Sequence, residues 1–167
     1  MARMQAAIAE IGHNPVDVVE QVLAMNELPF ERCGDDDLAA EHSGRWCSYQ
    51  LWFAYRPDIE GLHFSCAFDV RVPREMRERV FPLLALINER LWIGHFDLWL
   101  DEGQPTFRHA MLFRGGLPPS DDQIQDLIRT AITECERFYP AFQHVIWAGK
   151  TAAEAIEAAL FETAGQA

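Results

Sequence analysis

Six histidines, His13, His42, His63, His95, His109 and His144, are the side chains of this chain best suited to hold a metal or move a proton near neutral pH. None pairs as H-x-H or H-E-x-x-H, and no cysteine stands near one at ligand spacing, so a zinc site has no frame here. His63 and His95 come nearest to a site. Both fall on polar strand faces, with Asp69 and Asp97 nearby, and a pocket there would suit a metal or small-ligand sensor or an unrecognised enzyme. Solvent-facing strand histidines are the simpler account. Ser43, Ser48, Ser65 and Ser120 lack a G-x-S-x-G elbow, and Ser120 is explained as a helix cap. Gly115-Gly116 is followed by no G-K-[ST], which excludes a phosphate loop. Asp35-Asp36-Asp37 lacks the alternating oxygen ligands and terminal Glu of a calcium loop and reads as a solvated turn. The expectation is therefore no catalytic residue, no metal and no cofactor.

Charge narrows the partners. The chain carries 26 acidic and 14 basic residues, a net charge of −12. Such a surface repels phosphate backbones and anionic lipid, which argues against nucleic acid and membrane. The simpler reading is that the charge only keeps the protein soluble; the sharper alternative is an electrostatic bias toward basic partners. Cys33, Cys47, Cys66 and Cys135 show no C-x-x-C spacing, and Cys66 and Cys135 fall on apolar faces, where free Cys acts as a small hydrophobe. With no visible secretory signal and no run of 18 apolar residues, the reading is a reduced, cytoplasmic protein.

The elements that would position these residues follow from periodicity. A chain of 167 residues suits one domain, and at this size about 70% of the unfolded surface can be buried. Residues 1–13 read as a flexible N-terminal arm and 14–163 as a single domain. Asn14 and Pro15 open a helix with its stripe on Val18, Val22 and Met25, closed by Pro29. Phe30 to Cys33 is a short strand candidate, and Leu38 to Glu41 a candidate return strand. Trp46 to Tyr55 alternates, with Cys47, Tyr49, Leu51, Phe53 and Tyr55 on one face. Leu62 to Val72 alternates almost perfectly, one face apolar and the other His63, Ser65, Ala67, Asp69 and Arg71.

Pro73 to about Trp92 reads as a helix in which Pro82 forces a kink or a later start. His95 to Leu100 and Phe107 to Phe113 form a hairpin. Ser120 and Gln123 have capping-box spacing before a long stripe from Ile124 to Phe138, whose burial contributes at most on the order of 10 kcal/mol. Pro140 should bend or interrupt that helix, and Thr151 and Glu154 open a short Ala-rich helix. The sum is an α+β fold. An antiparallel sheet of about five strands carries helices on one face, in the order α-β-β-β-α-β-β-α plus a short C-terminal helix.

The positive sign of function is aromatic. Alternation places Trp46, Trp52 and Trp99 on polar strand faces among small or polar neighbours such as Ser65, Ala67 and Ala110. Large aromatics among small residues suit the docking of another surface. The alternative is that the first or last helix covers them.

The order of elements, the passage Asn88-Glu89-Arg90-Leu91-Trp92-Ile93-Gly94-His95-Phe96, and the tail Phe138-Tyr139-Pro140-Ala141-Phe142 with Trp147-Ala148-Gly149-Lys150 and Glu154-Ala155 carry a resemblance. They resemble the YbjN-like family, described as bacterial sensory transduction regulators, with the fold of type III secretion chaperones. The resemblance implies a helix–sheet–helix–hairpin–helix sandwich, a homodimer and no enzymatic activity. The helical tail after Gly149 departs from the minimal secretion chaperone. The expected function is a chaperone-like or regulatory adaptor that binds a protein partner.

Overall fold

Asn14 opens the first helix as its chemistry dictates. Its Oδ1 accepts from the Val16 N–H at 2.9 Å, and Pro15 occupies the first turn, where no N–H is needed. The computed structural model describes residues 14–113, 115 and 117–164, so the arm expected over 1–13, Gly116 and the chain end lie outside the described residues. Helix α1 (Pro15–Met25) is followed by strands β1 (Phe30–Arg32), β2 (Asp37–Ser43), β3 (Ser48–Arg56) and β4 (Gly61–Phe68). Then come α2 (Arg77–Asn88), β5 (His95–Trp99), β6 (Gln104–Leu112), α3 (Asp121–Ile146) and α4 (Ala152–Ala164).

The sheet has six strands rather than about five, all antiparallel, in the order β1-β2-β3-β4-β6-β5. Among the described residues, four strands, not three, precede α2. Both short candidates near residue 35 form, because the acidic turn between them is tied down from outside. Asn14 Nδ2 donates to the Asp35 carbonyl and the Asp36 carboxylate, both at 2.9 Å. Arg32 bridges Asp17 and Glu20 of α1 at 2.8 Å each and also donates to the Gly34 carbonyl.

The inward strand residues and the helix stripes form one hydrophobic cluster. Phe68 is its hub, with ring centroids 5.2 to 5.9 Å from Tyr49, Phe96, Tyr139 and Phe142. Cys66 and Cys135 sit inside it as free thiols with sulfurs 3.6 Å apart, and burial pushes the Cys135 thiol well up. α4 packs on α2 and α3.

Both capping boxes form. Ser120 and Gln123 exchange bonds at 2.9 and 3.2 Å, and Thr151 and Glu154 at 2.9 and 3.3 Å. Arg74–Met76 is a single 3-10 turn, so α2 begins at Arg77 rather than Pro73, and Pro82 lies inside it without ending it. Pro140 does not interrupt α3, which runs 26 residues from Asp121 to Ile146 with the proline buried.

Candidate functional site

Period-two alternation gives this sheet two unlike faces. One belongs to the hydrophobic cluster. The other contributes nothing to that cluster, and Trp52 and Trp99 on it are 39% and 37% exposed. The register lays this bare face out in rows across the strands. The central row runs Glu31, Ala39, Trp52, Ser65, Arg108, His95. A second row runs Glu41, Gln50, Ala67, Thr106, Asp97, and a third Asp37, Ala54, His63, Ala110. Small residues fill the middle. Ser65, Ala67 and Thr106 are 2%, 7% and 0% exposed.

Two of the three tryptophans expected on this face are there, on β3 and β5. Trp46 is not. β3 begins only at Ser48, so Trp46 lies in the preceding turn, where strand parity no longer holds. Its ring stacks on Tyr139 of α3 at 6.2 Å and 9°, its Nε1 donates to the Glu136 carbonyl at 3.1 Å, and Arg45 lies 4.8 Å from the ring centre. The Glu136 carboxylate also accepts from the Arg45 N–H at 2.7 Å, so one helical residue clamps the whole turn. Beneath it, the Tyr49 hydroxyl is buried without a hydrogen-bond partner among the described residues, and burial pushes its phenol far up.

The polar residues singled out by sequence partly converge. His63 and Asp97 meet through Arg108, which the sequence reading passed over. Arg108 donates through Nη1 to Asp97 at 2.9 Å and through Nε to His63 Nε2 at 3.3 Å. That bond needs His63 Nε2 unprotonated. Burial, then Arg108 and His95, hold the His63 imidazole below its ordinary value, so the ring is neutral at pH 7. Asp97 spends its other oxygen on the Leu98 N–H at 2.8 Å. His63 Nε2 and both Asp97 oxygens are thus occupied, while His95, next to Arg108 in the same row, is exposed. Asp69 does not join: it is exposed beyond the last β4 pair. Arg108 carried a readable signal, a lone cation on the polar side of an alternating strand. Its partners depended on β6 inserting between β4 and β5, which spacing does not reveal.

Among the described residues no group of three or more His, Cys, Asp or Glu is placed to hold a metal ion. Among the described residues no helix is long and apolar enough to cross a membrane. A groove of about 440 Å³ lies on the helix side between α1 and α3, lined by Val22, Leu28, His42, Ile128 and Ile132.

The outer edge of β5 is closed to further strands. Asn88 accepts from the Phe96 N–H at 2.7 Å and donates to the Phe96 carbonyl at 3.0 Å, while Asp97 takes the Leu98 N–H. The turn that allows this passes through Gly94 at φ 69°, where a Cβ would stand 2.3 Å from the Phe107 ring.

No curated protein matches the chain. Among solved structures, the chain is similar to the crystal structure of YbjN from E. coli, described as "a putative transcription regulator". The two are 13% identical with a TM-score of 0.53, over 88% of this chain and 93% of that one, which is a likeness of fold. Residues 15–144 match the YbjN family, described as "Putative bacterial sensory transduction regulator", a span from the first residue of α1 to the last turn of α3. The chain therefore belongs to the YbjN family.

Proposed function

We propose that this protein is a non-enzymatic, cytoplasmic regulatory adaptor, chaperone-like in its fold, that works by binding protein through the bare face of its sheet. The observation that carries this reading is the pair Trp52 and Trp99, each more than a third exposed on a face with small residues between them. Tryptophan is the side chain most enriched at binding hot spots, and shallow small-residue hollows beside it admit a partner's side chains. The family description as a regulator supports the same reading. So does the Arg108 cluster, whose members bind one another and give the face fixed polar groups.

The test places a photo-crosslinking residue at position 52 and, as control, at the exposed Phe161 of α4, in cells that make the protein. A discrete protein adduct at position 52, absent at 161 and lost on Trp99→Ser, is the expected result. Equal labelling at both positions would remove the bare face from consideration.

A further inference from the structure

We infer that residues 4–11, in the segment ahead of Asn14, turn back along α1 and fill the groove between α1 and α3, so that the chain carries the occupant of its own groove.

The groove has a definite place in the helix layer. Gln21 Nε2 of α1 donates to the Asp121 carboxylate at the start of α3, at 3.3 Å, and ties the two helices together there. Beyond that tie Val22 and Leu28 line one side, Ile128 and Ile132 the other, and His42 of β2 also lines it. The α1 side belongs to a longer stripe. Val18, Val22 and Met25 stand four and three residues apart, which puts them on one face of the helix. Along that face cover is lost toward the C-terminal end: Val22 is buried, and Met25 is 55% exposed. Met25 and the groove therefore make a continuous apolar surface, not an isolated exposed side chain, and such surfaces are covered by something.

The residues ahead of Asn14 match that surface. Asn14 is the N-cap of α1, and Gly12 stands two positions before it. Glycine is the residue that most often follows the last turn of a helix. Gly12-His13 leading into a capping Asn thus spells a short connection between two antiparallel helices. Ahead of it, Met4, Ile8 and Ile11 recur at spacings of four and three, the stripe of one helix face, with Arg3, Gln5 and Glu10 off it. Met4 to Ile11 and Val18 to Met25 are equal spans, about 10 Å each at about 1.5 Å per residue. Run antiparallel from the turn, Ile11 falls beside Val18, Ile8 beside Val22 and Met4 beside Met25.

Connectivity selects this occupant over a free one. A connection of a few residues costs little closure entropy and holds the stripe at an effective concentration on the order of millimolar. Any separate helix must compete against that.

Hydrogen–deuterium exchange of the full chain reads the contact. Residues 4–11 should exchange about tenfold or more below the free-peptide rate, and Ile8→Asp should return them to it. That substitution removes nothing from the hydrophobic cluster of the described residues, so the domain stays folded. A photo-crosslinking residue at position 7, on the edge of the stripe, locates the contact in the purified protein. Its adducts should map to residues 18–28 or 125–133 of the same chain, in a yield independent of protein concentration. The same probe at position 6, on the opposite face of the stripe, should label them several-fold less. Exchange at the free-peptide rate overturns the inference, as does protection that survives Ile8→Asp. So does a position-7 adduct that is absent, joins two chains or maps to the bare sheet face.

Discussion

The two faces of this sheet come from the same strands and obey opposite rules. On the covered face, Tyr49, Phe53, Phe64, Phe68 and Phe107 are fully buried and touch ring to ring. On the bare face, alternate residues of those strands are Trp52, His63, Ser65 and Arg108, which hold position by cross-strand pairing. The covered face is specified by packing, where every removed atom leaves a void. The bare face is specified by register, where single changes cost the fold little and alter what can dock. Stability and function are thus separated by one residue of phase along each strand.

The largest effect that tests this contrast is Phe68→Ala. Removing the hub of four ring contacts should cost about 3–5 kcal/mol in chemical denaturation. A smaller loss would mean the covered face is loosely packed. Asn88→Ala comes next: it strips both outward groups of Phe96 of their partner and should cost about 1–3 kcal/mol, with faster aggregation by light scattering as the β5 edge opens. On the bare face, Trp99→Ser should cost about 1 kcal/mol or less. A loss rivalling that of Phe68→Ala would break the contrast.

Smaller still is a dependence on pH. Burial and neighbouring cations hold the His63 ring below its ordinary value, and burial does the same for His109. The unfolded chain therefore binds protons first. Stability contributed by these neutral rings is complete above about pH 6.5 and is lost as pH falls from there through their folded values. His63→Gln should flatten the fall in unfolding free energy between neutral and mildly acidic pH. An unchanged slope would assign it to other groups. The smallest effect belongs to the covered face. Tyr49→Phe removes a buried hydroxyl that has no hydrogen-bond partner among the described residues, so stability should hold within about 1 kcal/mol or rise. A clear loss would show that the hydroxyl is paired in solution.

Much of the architecture was legible because its signals are local. Alternation from Leu62 marked β4, although the strand ends at Phe68 and not at Val72, and Asn14, Ser120 and Thr151 marked helix starts by hydrogen bonds that span three residues or fewer. The short β1–β2 hairpin was harder. Its support comes from Asn14 and from α1 through Arg32, contacts 12 to 22 residues away in sequence. Trp46 was misplaced for a related reason. Alternation holds only while the strand lasts, and a contact 90 residues distant, with Glu136, decides where that ring goes.

The sequence by itself determined the class of fold, which residues of the long strands face inward, where α1, α3 and α4 begin, and, of the three tryptophans placed on polar faces, the positions of Trp52 and Trp99. These follow from dihedral preference, side-chain period and capping, which act over a few residues. Only the tertiary structure decided that β6 inserts between β4 and β5, so that Arg108 joins Asp97 to His63. It alone showed that the helices gather on one face and leave Trp52 and Trp99 exposed on the other. Strand order and coverage are set by which distant segments bury the most apolar surface together, a property of the whole chain that no local pattern contains.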